Sequence, residues 1–103
     1  MALQCDIRNE ASVKEAIEKT VEKFGGLDIL INNASAINPV PVEHMETKSF
    51  DLIMSINTRG TFVASKHAIP HLRKSTNPHI LTISPPLYMA TDVSSRIVLN
   101  FVF

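Results

Sequence analysis

Apolar and polar positions change their period several times along the chain, and each change predicts an element. Leu3 to Cys5 read as the end of a strand, which Asp6 breaks. Val13, Ala16, Ile17, Val21 and Phe24 then fall at helical spacing on one face, and Lys14, Glu18, Lys19, Glu22 and Lys23 occupy the rest. Ser12, followed three residues later by Glu15, has the form of a capping box. Gly25-Gly26 supplies the stop, because glycine accepts the left-handed conformation at a helix end. The pattern predicts an amphipathic helix from about Ser12 to Phe24.

Ile29-Leu30-Ile31 is too short for a helix and has no polar alternation, so it predicts a strand covered on both faces. Asn32 and Asn33 stand at its C-terminal end. "SAINPVPVEHMET" follows, and its two prolines make it a loop. From Thr47 the spacing is helical again. Phe50, Ile53 and Met54 form one stripe, and Phe62, Val63, Ile69 and Leu72 form another. Gly60 lies between them, which predicts a break near Asn57. "KSTNP" is a turn, and Ile80 to Ile83 reads as a second short buried strand, ended by Pro85-Pro86.

Short buried strands alternating with amphipathic helices predict an α/β fold with a parallel sheet and right-handed crossovers. "YMATDVSSRIVLNFVF", residues 88–103, fits this rhythm poorly. The expected organisation is one unit over residues 1–87 and a divergent tail over 88–103.

Length and composition narrow the classes of function. The 103 residues allow one small domain. Ten basic side chains match ten acidic ones, so no charge excess points to nucleic acid or an anionic membrane. Cys5 is the only cysteine, which predicts a reducing, intracellular setting, and at a strand end it is expected to be a small buried apolar residue. No apolar run reaches the ~20 residues of a membrane helix, and the first residues have no signal-peptide core. His67 and His71 share a helix face, but Pro70 lies between them and no Glu pattern accompanies them, so exposed helix histidines are expected and no metal site. Met45, Met54 and Met89 read as packing.

Candidate chemistry gathers at strand ends. In an open α/β sheet, ligands bind beyond the carboxyl ends of the strands, where Asp6, Asn32, Asn33 and Ser84 all fall. Side-chain amides there both donate and accept, and the small Ala34 and Ser35 let a ligand approach the backbone. The other reading is that the amides only end the strand and satisfy a turn.

Three stretches carry a resemblance to a known family. "CDIRNEASVKEAIEKTVEKFGGLDILINNAS", "SINTRGTF" and "HILTIS" resemble, in this order, motifs of the short-chain dehydrogenase/reductase family. That family has Asn-Asn-Ala-Gly after its fourth strand, and here the last position is Ser35. The resemblance implies a partial Rossmann-type doubly wound parallel sheet, holding strands three to five of the family fold with intervening helices. It implies NAD(P) as cofactor and a small-molecule carbonyl or alcohol, lipid- or steroid-like, as substrate. Asp6 would accept from the adenine amino group. Asn33 and Ala34 would line the adenosine ribose and hold the strand end beside the nicotinamide half. Asn57 would hold, through its backbone carbonyl, a water of the proton relay. Ser84 is either the residue that polarises a substrate carbonyl or a strand-end residue only.

Two family features are not in this sequence. Gly25, Gly26 and Gly60 form no glycine-rich fingerprint, and Tyr88 is followed four positions later by Asp92, so no Tyr-x-x-x-Lys exists. Cofactor binding by this chain alone is therefore not expected. The expectation is an oxidoreductase present as a fragment that is inactive by itself. The alternatives are a truncated non-catalytic product that binds full-length family members, or a non-functional product. The resemblance also implies a homo-oligomer contact through the helix from Thr58 to Arg73, and a peroxisomal or mitochondrial location.

Overall fold

The computed structural model describes residues 1–84. Pro85-Pro86, Tyr88, Met89 and the tail lie outside the described residues. The architecture is α/β: helix α1 (Glu10–Phe24), strand β1 (Ile29–Asn32), a 3₁₀ turn (Val42–His44), helix α2 (Thr47–Met54), a π-helical segment (Ser55–Gly60), helix α3 (Thr61–Leu72) and strand β2 (His79–Thr82). β1 and β2 pair in parallel, with Ile29 opposite His79 and Asn32 opposite Thr82. The helical run between them is the crossover that a parallel pair requires.

Helix α1 begins two residues earlier than expected. Asn9, not Ser12, is its N-cap, and the Asn9 side chain accepts from the Ser12 N–H at 3.1 Å. The cause is the turn before it: the Asn9 N–H bonds to the Asp6 carbonyl at 2.9 Å and sets Asn9 in the extended conformation a cap needs. The stop is as expected. Gly25 has φ 81°, and its N–H bonds to the Val21 carbonyl. Phe24 is exposed, so the apolar stripe of α1 ends before it.

The core is small. Val13, Val63 and Ala64 are buried together, with Ile7, Ile17 and Leu30 packed against them. Ala68 and Leu72 are buried further along α3. The expected stripe of Phe62, Val63, Ile69 and Leu72 therefore mixes two faces. Phe62 and Ile69 point outward, and alanines take their place inward. Small side chains let α3 lie close to both α1 and β1, an arrangement that a reading by side-chain size overlooks.

Further expectations are corrected. Leu3 to Cys5 have no strand structure, and Cys5 is exposed. In the doubly wound order, strand three is separated from strand four by strands two and one, so Leu3 to Cys5 find no ladder partner on β1 or β2. Among the described residues, strand β1 is covered on one face only: Leu30 is half-buried, while Ile29 and Ile31 are exposed. The second strand, expected to be buried, is exposed along its length, because α3 meets chiefly β1. The expected break near Asn57 is instead a π-helical segment, and the helical run continues through it from α2 into α3. Among the described residues, no helix is long and apolar enough to cross a membrane.

Candidate functional site

Two amides end β1, and the fold gives them opposite surroundings. Alternation along the strand turns Asn32 under α3, where it is buried and its Nδ2 donates to Ser65 Oγ at 3.4 Å. Asn33 is exposed just beyond the strand. One amide is structural, and the other stands at the carboxyl edge of the sheet.

The ladder runs one bond past β2, because the Ile83 N–H donates to the Asn32 carbonyl at 3.0 Å. That bond fixes the two strand ends side by side. Asn33 and Ala34 leave one strand where Ser84 leaves the other. Ser84 is exposed at this edge.

Asn57 reaches the same edge from the π-helical segment. Its Oδ1 accepts from the Ala36 N–H at 2.8 Å, and its Nδ2 donates to the Ala36 carbonyl at 3.0 Å. One side-chain amide thus pairs both backbone groups of a loop residue, as a strand would. This grip fixes the loop that carries Asn33 and Ala34. The Asn57 backbone is also unusual. The Thr61 N–H bonds to the Thr58 carbonyl, and the Thr61 hydroxyl donates to the Asn57 carbonyl at 2.8 Å. A carbonyl has two acceptor positions, and the Thr61 hydroxyl takes one. π segments recur inside α-helices at functional sites.

Asp6 is held separately. Its carboxylate accepts from the Arg8 N–H at 2.9 Å, from Arg8 Nε at 3.0 Å and from Arg8 Nη2 at 2.6 Å. The Arg8 side chain, and then its N–H, hold the exposed Asp6 carboxyl down at about 2. Asp6 is therefore an anion with fixed orientation. The structure brings Asn33, Ala34, Asn57 and Ser84 to one end of the sheet. It links Asp6 to them through the π segment: Ile7 lies against Gly60, and Arg59 Nη1 donates to the Arg8 carbonyl at 2.7 Å.

The histidines have a different setting from the one expected. His67 is only partly exposed, and its Nε2 lies 2.9 Å from Glu10 Oε1. Lys66 Nζ donates to the same carboxylate at 2.9 Å. Lys66, and then His67, hold the Glu10 carboxyl down at about 2. Among the described residues, no group of three or more His, Cys, Asp or Glu could hold a metal ion. Sequence reasoning missed Glu10, Arg59 and the burial of Asn32. The Asn9 cap and the strand alternation carried part of that signal; the long-range pairs left none.

Comparisons with known proteins bear on the family and the fold. The family model described as short chain dehydrogenase matches residues 1–89. Hydroxysteroid dehydrogenase-like protein 2 of Danio rerio is 56% identical over 88 residues, which cover 84% of this chain and 21% of that protein. A short chain dehydrogenase from Mycobacterium thermoresistibile superposes with a TM-score of 0.77 and 49% identity, over 84% of this chain and 31% of the other. ElxO, solved with NADP bound, superposes with a TM-score of 0.75 and 35% identity, over 80% of this chain and 34% of the other. The chain spans about a fifth of the length of the curated relative it matches.

Proposed function

Because the chain belongs to the short-chain dehydrogenase family, we propose that it forms the central part of an NAD(P)-dependent oxidoreductase acting on the carbonyl or alcohol of a lipid- or steroid-like small molecule. The observation that carries this reading is the carboxyl edge of the sheet, where Asn33, Ala34 and Ser84 meet the loop gripped by Asn57.

The residues present fit part of the cofactor. Asp6 is an oriented acceptor for an adenine amino group, and Asn33 and Ala34 leave an open edge for a ribose. No glycine of this chain forms the loop that cradles a pyrophosphate. In this reading the segment supplies groups for the adenosine side, and the phosphate cradle does not come from it. A nicotinamide, when bound, supplies or accepts the hydride.

The chain's own residues do the remaining work in this reading. Asn57 fixes the loop that borders the reacting end and offers its carbonyl to a water that passes a proton. Ser84 donates a hydrogen bond to the substrate oxygen and stabilises the charge that grows there. The organelle belongs to the same reading: a peroxisomal or mitochondrial location rests on the resemblance alone.

A second reading has its own support. Ile29, Ile31, Leu81 and Ile83 lie half or more exposed or close to it on the uncovered sheet face, and Phe62 and Ile69 point outward from α3. A non-catalytic chain that pairs with intact family members through these surfaces accounts for them, as does a homo-oligomer contact through α3. One experiment separates the readings. The native protein is captured with an antibody against residues 43–54, and the captured material is given NADPH or NADH with a hydrophobic ketone. Turnover with either cofactor is expected. Captured material in which this sequence occurs only in a species of this chain's own size, held together with an intact family member that accounts for any turnover, would replace the first reading by the second.

A further inference from the structure

The π-helical segment grips two loops, and only one grip involves Asn57. On the other side, Arg59 Nη1 donates to the Arg8 carbonyl at 2.7 Å, and Arg59 Nη2 lies 3.9 Å from Glu10 Oε2. Gly60 completes this contact. Its φ is −60°, an ordinary helical value, so the glycine is not needed for its backbone angle. It is needed for space: a Cβ placed there would stand 2.7 Å from Ile7 Cγ1. Ile7 and Arg8 directly follow Asp6, and Arg8 supplies both the N–H and the guanidinium that orient the Asp6 carboxylate.

We infer that Arg59, with Gly60, is the positioning element that sets where the Asp6 carboxylate stands relative to the Asn33–Ala34 edge. The inference rests on the proposed function in taking Asp6 as the adenine acceptor and Asn33 and Ala34 as ribose neighbours. One turn of helix then spaces the two ends of a dinucleotide: Asn57 holds the loop after β1, and Arg59 and Gly60 hold the turn before α1. A charged donor on a backbone carbonyl is among the stronger hydrogen bonds, which makes Arg59 the firmer of the two contacts on that turn.

Two amides report the two grips separately. The Arg8 N–H is held by Asp6 Oδ1, and the Ala36 N–H is held by Asn57 Oδ1. Residue-resolved hydrogen exchange of the full chain reads both, with the Ile83 N–H, which is bonded to Asn32, as a marker of general opening. Arg59→Ala is expected to speed Arg8 exchange about tenfold and leave Ala36 and Ile83 within about twofold. Asn57→Ala is expected to do the reverse. Arg59→Lys, which keeps a cationic donor, restores part of the Arg8 protection. Gly60→Ala is the second route to the same answer. Alanine favours a helix over glycine, so faster Arg8 exchange in that variant cannot come from a weakened helix.

The inference is overturned if Arg8 exchange stays within about twofold in both Arg59→Ala and Gly60→Ala. It is equally overturned if Arg8, Ala36 and Ile83 all quicken by the same factor, which is the mark of general destabilisation. The readout needs no cofactor. Its failure is therefore distinct from failure of the oxidoreductase reading, which the activity of captured native protein decides.

Discussion

The two faces of strand β1 carry side chains of the same kind and have opposite fates. On one face Leu30 joins Val13, Val63 and Ala64 in the core, and Asn32 is buried beside α3. On the other, Ile29 and Ile31 are 50% and 57% exposed. Isoleucine and leucine differ little in hydropathy, so residue type does not decide burial here. The decision belongs to α1 and α3, which both pack on one side. In a doubly wound fold helices cover both sides, and the residues described here supply one layer.

The sharpest way to break this comparison is to place a polar side chain on each face in turn. Val63→Asp puts an unpaired carboxylate at the centre of the packed side. It is expected to cost about 3–5 kcal/mol and to abolish cooperative unfolding in a chain with so small a core. Ile31→Thr keeps a β-branched side chain on the open face, so strand propensity is preserved. It is expected to change stability by no more than about 0.5 kcal/mol and to reduce self-association in analytical ultracentrifugation, because open apolar strand surfaces invite partners. Equal destabilisation by both changes would mean that the open face is covered in solution.

The paired amides sharpen the same contrast at smaller scale. Asn32→Ala removes a buried side chain and its bond to Ser65, and is expected to cost about 1–2 kcal/mol by chemical denaturation. Asn33→Ala, one residue on and exposed, is expected to leave the midpoint unchanged within about 0.5 kcal/mol. If the Asn33 change proved as costly, Asn33 would be a structural amide like its neighbour, and its assignment to a ribose would lose its basis.

How much of this was legible in the sequence depends on the range of each interaction. Local signals carried through. Gly25 ends α1 as expected, the two strands lie where Ile29-Leu30-Ile31 and Ile80 to Ile83 placed them to within a residue or two, and the parallel α/β order follows from their alternation with helices. Competition between nearby signals was harder. Both Ser12 and Asn9 are good caps, and the Asn9–Asp6 turn decides for Asn9. A test is direct: Asn9→Ala is expected to cost about 1 kcal/mol, and Ser12→Ala only a few tenths. Long-range information was invisible. Nothing in "NTRGTF" says that Asn57 will pair with Ala36 or Arg59 with Arg8, and nothing in "LDILIN" says which face a helix will cover. The site residues Asp6, Asn33, Ala34, Asn57 and Ser84 came from family likeness, while the geometry that joins four of them came only with the fold.

The smallest expected effect lies at the rim of the packed face, where Glu10 at the start of α1 meets Lys66 and His67 of α3. The ordinary glutamate value is 4.5, and Lys66, followed by His67, depresses the Glu10 carboxyl to about 2 in the fold. A carboxyl that is more acidic in the folded state binds its proton more readily when unfolded. Its contribution to stability is therefore complete above about pH 4.5 and is lost as the pH falls towards 2. Asp6 is depressed by Arg8 over a similar window, so the wild-type chain alone does not isolate the Glu10 contribution. The difference between wild type and Glu10→Gln does. The two unfolding midpoints are expected to differ above pH 5, to converge as the pH drops through this window, and to meet near its lower end. Added salt should narrow the gap at neutral pH, because all three partners touch solvent. A gap that held constant from pH 6 to pH 2 would show that Glu10 joins α1 to α3 by packing and neutral hydrogen bonds. The packed face would then owe its coherence to its apolar contacts, Val13, Val63, Ala64 and their neighbours, with no electrostatic rim.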